Sequence, residues 1–278
     1  MYEQYWKLND NPFRNTPDPR YFYFARQYEE ALARALYVVT EGQGAMLLTG
    51  DCGCGKTLLT RVLVDELDPA RFEVALIPYP NLEPRELLGE ILRQFGFDIV
   101  GLTRPEMIER MEKFLLANHR RGASTLVIVD EGQVVHSDET MEEIRLLLNF
   151  QRDRGFFLTL LLVGQPELRE RVESLPQLSQ RLTVKYHLRA LDREDSLGYL
   201  RHRLSVAGGG GEIFTSGAEN LIVESAGGVP RNLNYLSDLA LLTGFGKSSP
   251  LIDEELVGDV VSDRLLHEGS LQAGSNRK

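Results

Sequence analysis

The chain has 278 residues, of which 42% are hydrophobic and 26% charged, a balance that excludes a fibrous or wholly disordered protein. Its length allows one large domain and a second, smaller one. A formal net charge of −10 argues against a surface that is basic throughout, as a general nucleic-acid-binding protein would have.

The sequence carries no recognisable targeting or membrane signal. Its first residues, MYEQYWKLNDNPF, lack the basic and then apolar layout of a signal peptide. The longest apolar run, FFLTLLLVG, is far shorter than the roughly 20 residues of a transmembrane helix. Two cysteines are too few for a disulfide framework. We therefore expect a cytoplasmic protein with no transmembrane segment.

The chain begins with a predicted extended arm, residues 1–23, because this part is rich in proline and aromatic side chains. Over residues 24–188, short apolar runs alternate with amphipathic helical patterns. This alternation is typical of a parallel sheet covered on both faces, so we predict an α/β domain. Its predicted helices include residues 84–95, 105–120 and 138–153, the second preceded by a capping box of Thr103 and Glu106.

After the apolar run LTVKYHL only helical patterns remain. Helix starts are predicted at Asp192, at Thr215 or Ser216, after Pro230 and at Asp253. We therefore place a small all-helical domain at residues 189–266. The polar residues 267–278 are predicted to be a disordered tail.

The segment GDCGCGKT lies between the first apolar strand and a helical pattern, and it is either a thiol pair or a phosphate-binding loop. It matches the pattern G-x-x-x-x-G-K-[ST] at Gly50, Gly55, Lys56 and Thr57. Glycines let backbone N–H groups curl around a phosphate, and the N-terminus of the next helix favours an anion. Lys56 adds a mobile positive charge, and the hydroxyl of Thr57 can bind Mg²⁺.

We therefore predict that this loop binds the phosphates of a nucleotide. The residues expected to hold them are Gly50, Asp51, Cys52, Gly53, Cys54, Gly55, Lys56, Thr57 and Leu58. Cys52 and Cys54 occupy variable positions of the pattern, where only the backbone is needed. A redox pair, or a thiol that gates nucleotide entry, remains the alternative for them, because a thiol at a helix N-terminus can be reactive.

Two carboxylates, Asp130 and Glu131, follow the apolar run TLVIV at its carboxyl end. Ligand chemistry in parallel α/β sheets lies at this edge. We expect Asp130 to hold Mg²⁺, directly or through water, and Glu131 to orient and activate an attacking water. The second carboxylate therefore predicts hydrolysis. A charged strand end exposed to solvent is the alternative.

Three further polar side chains are candidates for contacts with the γ-phosphate. Gln165 follows the run FFLTLLLVG and is expected to sense that phosphate or to position water. Arg181 precedes the last predicted strand, and Arg231 begins a helix of the second domain. A guanidinium can neutralise the charge that spreads over the γ-oxygens during phosphoryl transfer, and we expect Arg181 to do so from a neighbouring subunit. The alternatives are a loop or cap role for Gln165 and solvated ion pairs for the arginines.

Together these segments resemble the AAA+ ATPases and, more narrowly, the general secretion pathway protein A (ExeA-like) family. The marks of the resemblance, from about residue 5 to 245, are NPF, PDPRYFY, GDCGCGKT, VIVDEGQ, MEEIRLLLNF, LLVGQPELRERV, LPQLSQRL and GGVPRNLN. The family usually has a threonine where this chain has Cys54, and often an alanine where it has Gly132. Neither difference removes a catalytic group.

The resemblance implies a core sheet of order 5-1-4-3-2, a helical lid, and catalysis at the subunit interfaces of an oligomer. It places Gln165 at the sensor 1 position, Arg181 at the arginine-finger position and Arg231 at the sensor 2 position. It also implies ATP as the nucleotide, with Pro12 and Phe13 beside the adenine. No base-reading motif in the sequence distinguishes adenine from guanine.

Longer members of that family continue into a transmembrane helix and a peptidoglycan-binding module, whereas this sequence stops after the lid. We therefore expect a cytoplasmic ATPase, peripheral at the inner membrane through another protein, that drives assembly of an envelope machine. One alternative is an ATP-dependent regulator of transposition, with DNA contacts from Arg20, Arg26, Arg120 and Arg121. The acidic net charge disfavours this alternative, because DNA is itself negatively charged. Another is a slow nucleotide-gated switch.

Overall fold

The computed structural model describes residues 1–152, 155–209 and 211–263. These residues form two compact units. The α/β unit contains Arg26–Cys52 and Lys56–Arg189, and the helical unit contains Met1–Ala25, Gly53–Gly55 and the described residues from Ala190 onward. Within the described ranges, no helix combines the length and apolar character needed to cross a membrane. The predicted tail, residues 267–278, lies outside them.

A five-stranded parallel sheet forms the centre of the α/β unit, as predicted. Its strands lie in the order β2-β3-β6-β1-β7. When these five strands are numbered 1 to 5 along the chain and read from the β7 edge, the order is 5-1-4-3-2, as the resemblance implies. The strands are β1 (Ala45–Gly50), β2 (Phe72–Ile77), β3 (Ser124–Val129), β6 (Leu158–Gly164) and β7 (Leu182–Leu188), and β4 (Gln151–Arg152) pairs separately with β5 (Gly155–Phe156).

Helices cover the sheet, so that every residue of β1 and of β6 is buried. Such strands have helices on both faces, which explains their continuous apolar sequences. The predicted capping box is present, because Glu106 accepts hydrogen bonds from the backbone and hydroxyl of Thr103. The helices are α1 (Arg26–Thr40), α2 (Lys56–Glu66), α3 (Pro84–Gln94), α4 (Arg104–Arg120), α5 (Asp138–Leu147), α6 (Pro166–Glu173) and α7 (Pro176–Ser179).

The helix predicted over residues 138–153 is too long, because α5 ends at Leu147. The apolar pattern continues past this point since Leu148 is fully buried and Phe150 packs against the same core from outside the helix. Gln151 then pairs with Phe156 in an antiparallel hairpin. Burial without helical backbone therefore accounts for the error.

The helical unit contains α8 (Arg193–Val206), α9 (Ser216–Ala226), α10 (Pro230–Gly246) and a last helix over residues 254–263. The predicted N-caps Asp192 and Thr215 both accept hydrogen bonds from backbone N–H groups of the helices they begin. The N-terminal residues belong to this unit. The indole of Trp6 donates to the carbonyl of Leu241 at 3.0 Å. The arm that the sequence suggested as a separate segment is thus packed among the helices.

Candidate functional site

The backbone of residues 50–57 requires glycine at three points. Gly53 and Gly55 have φ of +85° and +83°, a left-handed conformation that disfavours side chains. Gly50 ends β1 beside β7, and a Cβ there would lie 2.7 Å from the carbonyl oxygen of Leu188. The sequence Gly-x-x-Gly-x-Gly is therefore needed for the shape of the turn and for strand packing.

Lys56 begins α2 and turns its side chain back into the loop. Its ammonium group donates to the carbonyl of Gly50 at 2.7 Å and to that of Asp51 at 3.0 Å. The residue is only 6% exposed, so these carbonyls replace water around the buried charge. The ammonium group of Lys56 therefore lies near the N-terminus of α2, and both favour binding of an anion.

Asp130 joins the end of β3 to the first turn of α2. Its Oδ2 accepts a hydrogen bond from the hydroxyl of Thr57 at 2.8 Å, and its Oδ1 accepts one from the backbone N–H of Glu131 at 2.9 Å. Burial raises the pKa of Asp130, against these hydrogen bonds and the charge of Lys56, which lower it. The charge of Glu131 adds to the rise.

Thr57 and Asp130 fit a magnesium ion. Mg²⁺ prefers oxygen ligands at about 2.0–2.1 Å in an octahedron, so that neighbouring ligands lie about 2.9 Å apart. The observed separation of Thr57 Oγ1 and Asp130 Oδ2 is 2.8 Å. A hydroxyl and a carboxylate already at this spacing could become adjacent ligands without movement of the backbone.

Glu131 has a left-handed backbone, with φ of 53° and ψ of 36°. This conformation is uncommon outside glycine and costs about 1 kcal/mol or more. The residue is half-buried, and its carboxylate accepts a hydrogen bond from the side-chain amide of Gln133. Strain of this kind, at a carboxylate that directly follows a buried aspartate, is typical of functional sites.

Gln165 is the N-cap of α6, directly after β6. Its backbone N–H donates to the side-chain oxygen of Gln133 at 3.0 Å. Gln133 therefore connects Gln165 to Glu131. Gln133 is not among the site residues predicted from the sequence. Its position two residues after Glu131, as a polar side chain, is the feature of the sequence that could have indicated it.

Arg181 lies at the C-terminal end of α5. Its guanidinium donates to the carbonyl of Leu148, the C-cap of that helix, at 2.6 Å. This hydrogen bond of Arg181 is therefore made to the end of α5 and not to Thr57, Asp130 or Glu131.

Arg231 is the second residue of α10 and has an exposed side chain. Its backbone N–H donates to the carbonyl of Gly53 at 3.3 Å, within the helical unit. A Cβ on Gly53 would lie 2.7 Å from the Cβ of Arg231. Close packing at the start of α10 is therefore a second reason for glycine at position 53.

A comparison with known protein families matches residues 39–172 to the AAA domain family. The match contains the phosphate loop, both carboxylates and Gln165, in a sheet of the expected order. Residues 39–172 are therefore an AAA domain, and the fold is that of the AAA+ P-loop NTPases.

Over 99% of its length, this AAA+ protein is 37% identical to general secretion pathway protein A of Aeromonas hydrophila, and it spans 51% of that relative. The resemblance found in the sequence is thereby confirmed. Among solved structures, the ORC2 protein of Aeropyrum pernix, in ADPNP and ADP complexes, is 22% identical with a TM-score of 0.70 over 91% of this chain and 71% of that one. Drosophila ORC bound to DNA is 17% identical with a TM-score of 0.71, over 95% and 66%. These two likenesses show the fold alone.

The remaining predicted residues of the AAA+ protein differ in exposure. Phe13 is 1% exposed and packs edge-to-face on Phe214, and the carbonyl of Pro12 accepts a hydrogen bond from Arg203. Both are therefore part of the helical unit's interior. In the loop, Asp51 and Cys52 are exposed, Cys54 is buried and Leu58 is half-buried.

Proposed function

We propose that the chain is a Mg²⁺-dependent ATPase that acts as a homo-oligomer and couples ATP binding and hydrolysis to assembly of a bacterial envelope machine, of the secretion, pilus or exopolysaccharide type. One observation carries the catalytic part. Hydrogen bonds connect Thr57 to Asp130 and Asp130 to the backbone of Glu131 at the edge of the sheet where the phosphate loop begins. The proposed base, Glu131, thus directly follows Asp130, which is one of the two proposed magnesium ligands.

In the proposed reaction, the loop amides and Lys56 bind the phosphates of ATP. Thr57 and Asp130 would hold Mg²⁺, which would neutralise part of the phosphate charge when bound. The carboxylate of Glu131 accepts a proton from a water whose oxygen bonds to the γ-phosphorus. The bond from that phosphorus to the bridging oxygen breaks, and ADP and phosphate leave.

The base assignment is tested by phosphate release from the intact chain and from Glu131→Gln. A positioned general base contributes about 10²- to 10⁴-fold, so the variant should lose at least about 100-fold in kcat and still bind ATP. Glu66→Gln, at the exposed end of α2, is the matched control and should release phosphate at the normal rate. Equal turnover from Glu131→Gln and the intact chain would eliminate the proposed mechanism.

The phosphate-binding assignment is tested separately by calorimetric titration with Mg²⁺ and ATP or GTP. Lys56→Ala should lose saturable binding. Lys113→Ala removes a lysine that pairs with Glu109 on the surface, and it should bind as the intact chain does. The same titrations show whether the site prefers adenine or guanine, and tighter binding of GTP would contradict the assignment of ATP. Equal affinity of Lys56→Ala and the intact chain would remove the loop from the site.

Action of Arg181 from a neighbouring subunit is supported by its hydrogen bond to the C-cap of α5 in place of one to Asp130 or Glu131. A mixture of Arg181→Ala and Glu131→Gln tests it. Each variant alone should be inactive, and the mixture should recover turnover because one subunit supplies the base and its neighbour the guanidinium. A mixture no more active than the sum of its components would contradict this arrangement.

The role in the envelope is supported by the identity to general secretion pathway protein A, of which this chain spans about half. In the native host, overproduced Glu131→Gln should enter oligomers and block secretion, pilus formation or polysaccharide export. The double variant Lys56→Ala with Glu131→Gln is the control, because it cannot be trapped with ATP. Normal export in both strains would contradict the proposal.

The alternatives have less support among the described residues. Of the arginines expected to contact DNA, Arg20 pairs with Asp18 at 2.6 Å and Arg121 pairs with Glu73 at 2.5 Å. ATP-dependent retention of duplex DNA at low salt, lost at high salt, would favour the transposition regulator instead. A slow switch would be indicated by partner affinity that differs between ATP and ADP states with little turnover.

A further inference from the structure

Gln133 lies in a short 3-10 turn, Gly132–Val134, and its side chain joins the ends of two strands. Its Nε2 donates to the carboxylate of Glu131, which follows β3 through Asp130. Its Oε1 accepts a hydrogen bond at 3.0 Å from the backbone N–H of Gln165, which follows β6. One amide therefore spans the edge of the sheet between these two positions of the α/β unit.

The two partners define which way the amide of Gln133 points. A carboxylate can only accept here, so it faces the NH₂ group, and a backbone N–H can only donate, so it faces the oxygen. A flipped amide would place two acceptors together and two donors together. The packing is also close, since a Cβ on Gly164 would lie 2.7 Å from Oε1. The contacts of Oε1 with Gln165 and Gly164 thus fix the position of Nε2, which faces Glu131.

Glu131 needs such a neighbour. Its backbone is left-handed, and a glutamate side chain has three rotatable bonds that leave the carboxylate free to take many positions. A general base is effective only within hydrogen-bond reach of its proton, and a third group commonly orients it. The fixed Nε2 of Gln133 is that third group in this geometry.

We infer that Gln133 is a positioning residue, which holds the carboxylate of Glu131 toward the attacking water and anchors itself on the backbone of Gln165. This inference rests on the proposed role of Glu131 as the base. It also gives Gln165 a contribution through its main chain, separate from any contact of its side chain with the γ-phosphate.

Gln133→Met tests the hydrogen bonds, because methionine keeps the length and approximate volume of glutamine but has no N–H donor. We expect kcat to fall about 10- to 100-fold, as small misplacements of a catalytic group do, with the ATP dissociation constant within about threefold of normal. Gln133→Ala should give the same split. The matched control is Gln94→Ala, because Gln94 makes the same kind of amide-to-carboxylate bond with Glu90 on the surface, at 3.1 Å.

A double-mutant cycle shows whether Gln133 acts through Glu131. In single-turnover measurements, Gln133→Met should cause less than about a twofold further loss when Glu131 is already glutamine. An equal loss in both backgrounds, or normal kcat in Gln133→Met, would overturn the inference. Thermal unfolding and ATP titration of each variant separate these results from misfolding. Normal turnover of Glu131→Gln alone would instead be a failure of the proposed function.

Discussion

The hydroxyl of Thr57 donates to Asp130 across 2.8 Å, although the two residues are 73 positions apart in the chain. This bond connects the start of α2, directly after the phosphate loop, to the end of β3. The proposed metal-binding pair is therefore assembled by the fold, since α2 follows β1 and β3 lies two places from β1 in the sheet.

Removal of the hydroxyl should weaken the response to magnesium. In Thr57→Ala, one proposed ligand is lost, so the Mg²⁺ concentration for half-maximal turnover should rise at least about tenfold, which is about 1.4 kcal/mol of binding free energy. Thr57→Ser keeps the oxygen and should stay close to normal. Thr60→Ala, which removes a buried hydroxyl bonded to the carbonyl of Thr57, is the control. The assignment of Thr57 is contradicted if magnesium titrations of Thr57→Ala and Thr60→Ala coincide.

Asp130 should lower stability at neutral pH. Because burial raises its pKa above the ordinary value of 3.8, the folded protein holds this proton more tightly than the unfolded chain does. Stability contributed by the protonated group is therefore present below 3.8 and lost as pH rises through the folded pKa. Asp130→Asn should raise Tm at pH 7, without nucleotide or metal, at about 2–4 °C per kcal/mol.

Measurements of Tm against pH check this sign. The advantage of Asp130→Asn over the intact chain should shrink as pH falls through the raised folded pKa, and it should vanish below 3.8, where Asp130 is protonated in both the folded and the unfolded state. Asp65→Asn, on the exposed side of α2, is the control and should leave Tm unchanged across the same range. A Tm of Asp130→Asn below that of the intact chain at pH 7 would mean that the lost hydrogen bonds outweigh the relief of the buried charge.

Gly55→Ala should reduce nucleotide affinity in addition to stability. Its φ of +83° makes any side chain strained, at about 1–2 kcal/mol. Gly101→Ala is a matched control, because Gly101 has φ of +76° in a loop where an added Cβ meets nothing within 4 Å. Both variants should lose similar stability in thermal unfolding, and only Gly55→Ala should bind ATP more weakly. Equal ATP affinity in the two would show that the loop's conformation is not needed for binding.

Arg181 should stabilise the isolated protomer as well. Its bond to the carbonyl of Leu148 satisfies one of the unpaired carbonyls at the end of α5, which is worth about 1 kcal/mol. Arg181→Ala should therefore lower Tm by about 2–4 °C. Arg169→Ala, which breaks an exposed pair with Glu173, should change Tm far less. A fully stable Arg181→Ala would indicate that this bond is weak in solution.

The sequence predicts the parts of the site that depend on local backbone chemistry. The phosphate loop is recognisable because its glycines adopt conformations that other residues disfavour, as at Gly53 and Gly55. The α/β class is recognisable because strands buried on both faces have continuous apolar sequences. The capping box at Thr103 needs only residues three positions apart.

Contacts between distant parts of the chain are not predictable in this way. Gln133 meets Gln165 only because β3 and β6 are neighbours in the sheet, so its place two residues after Glu131 indicates a polar group near the carboxylates but not this contact. Trp6 bonds to Leu241, 235 residues away, and this is why the first residues of the chain group with the helices. The helix α5 was predicted too long because burial of Leu148 has the same pattern whether or not the backbone is helical.

Lys56 provides the phosphate loop with its own internal cation. The carbonyls of Gly50 and Asp51 are gathered around this ammonium group, so the curvature of the loop does not depend on a bound anion. In the proposed site, a triphosphate would replace these carbonyls as a partner of Lys56, and little backbone entropy would be lost on binding. The shape that the proposed phosphate site needs is therefore built by contacts within the loop itself.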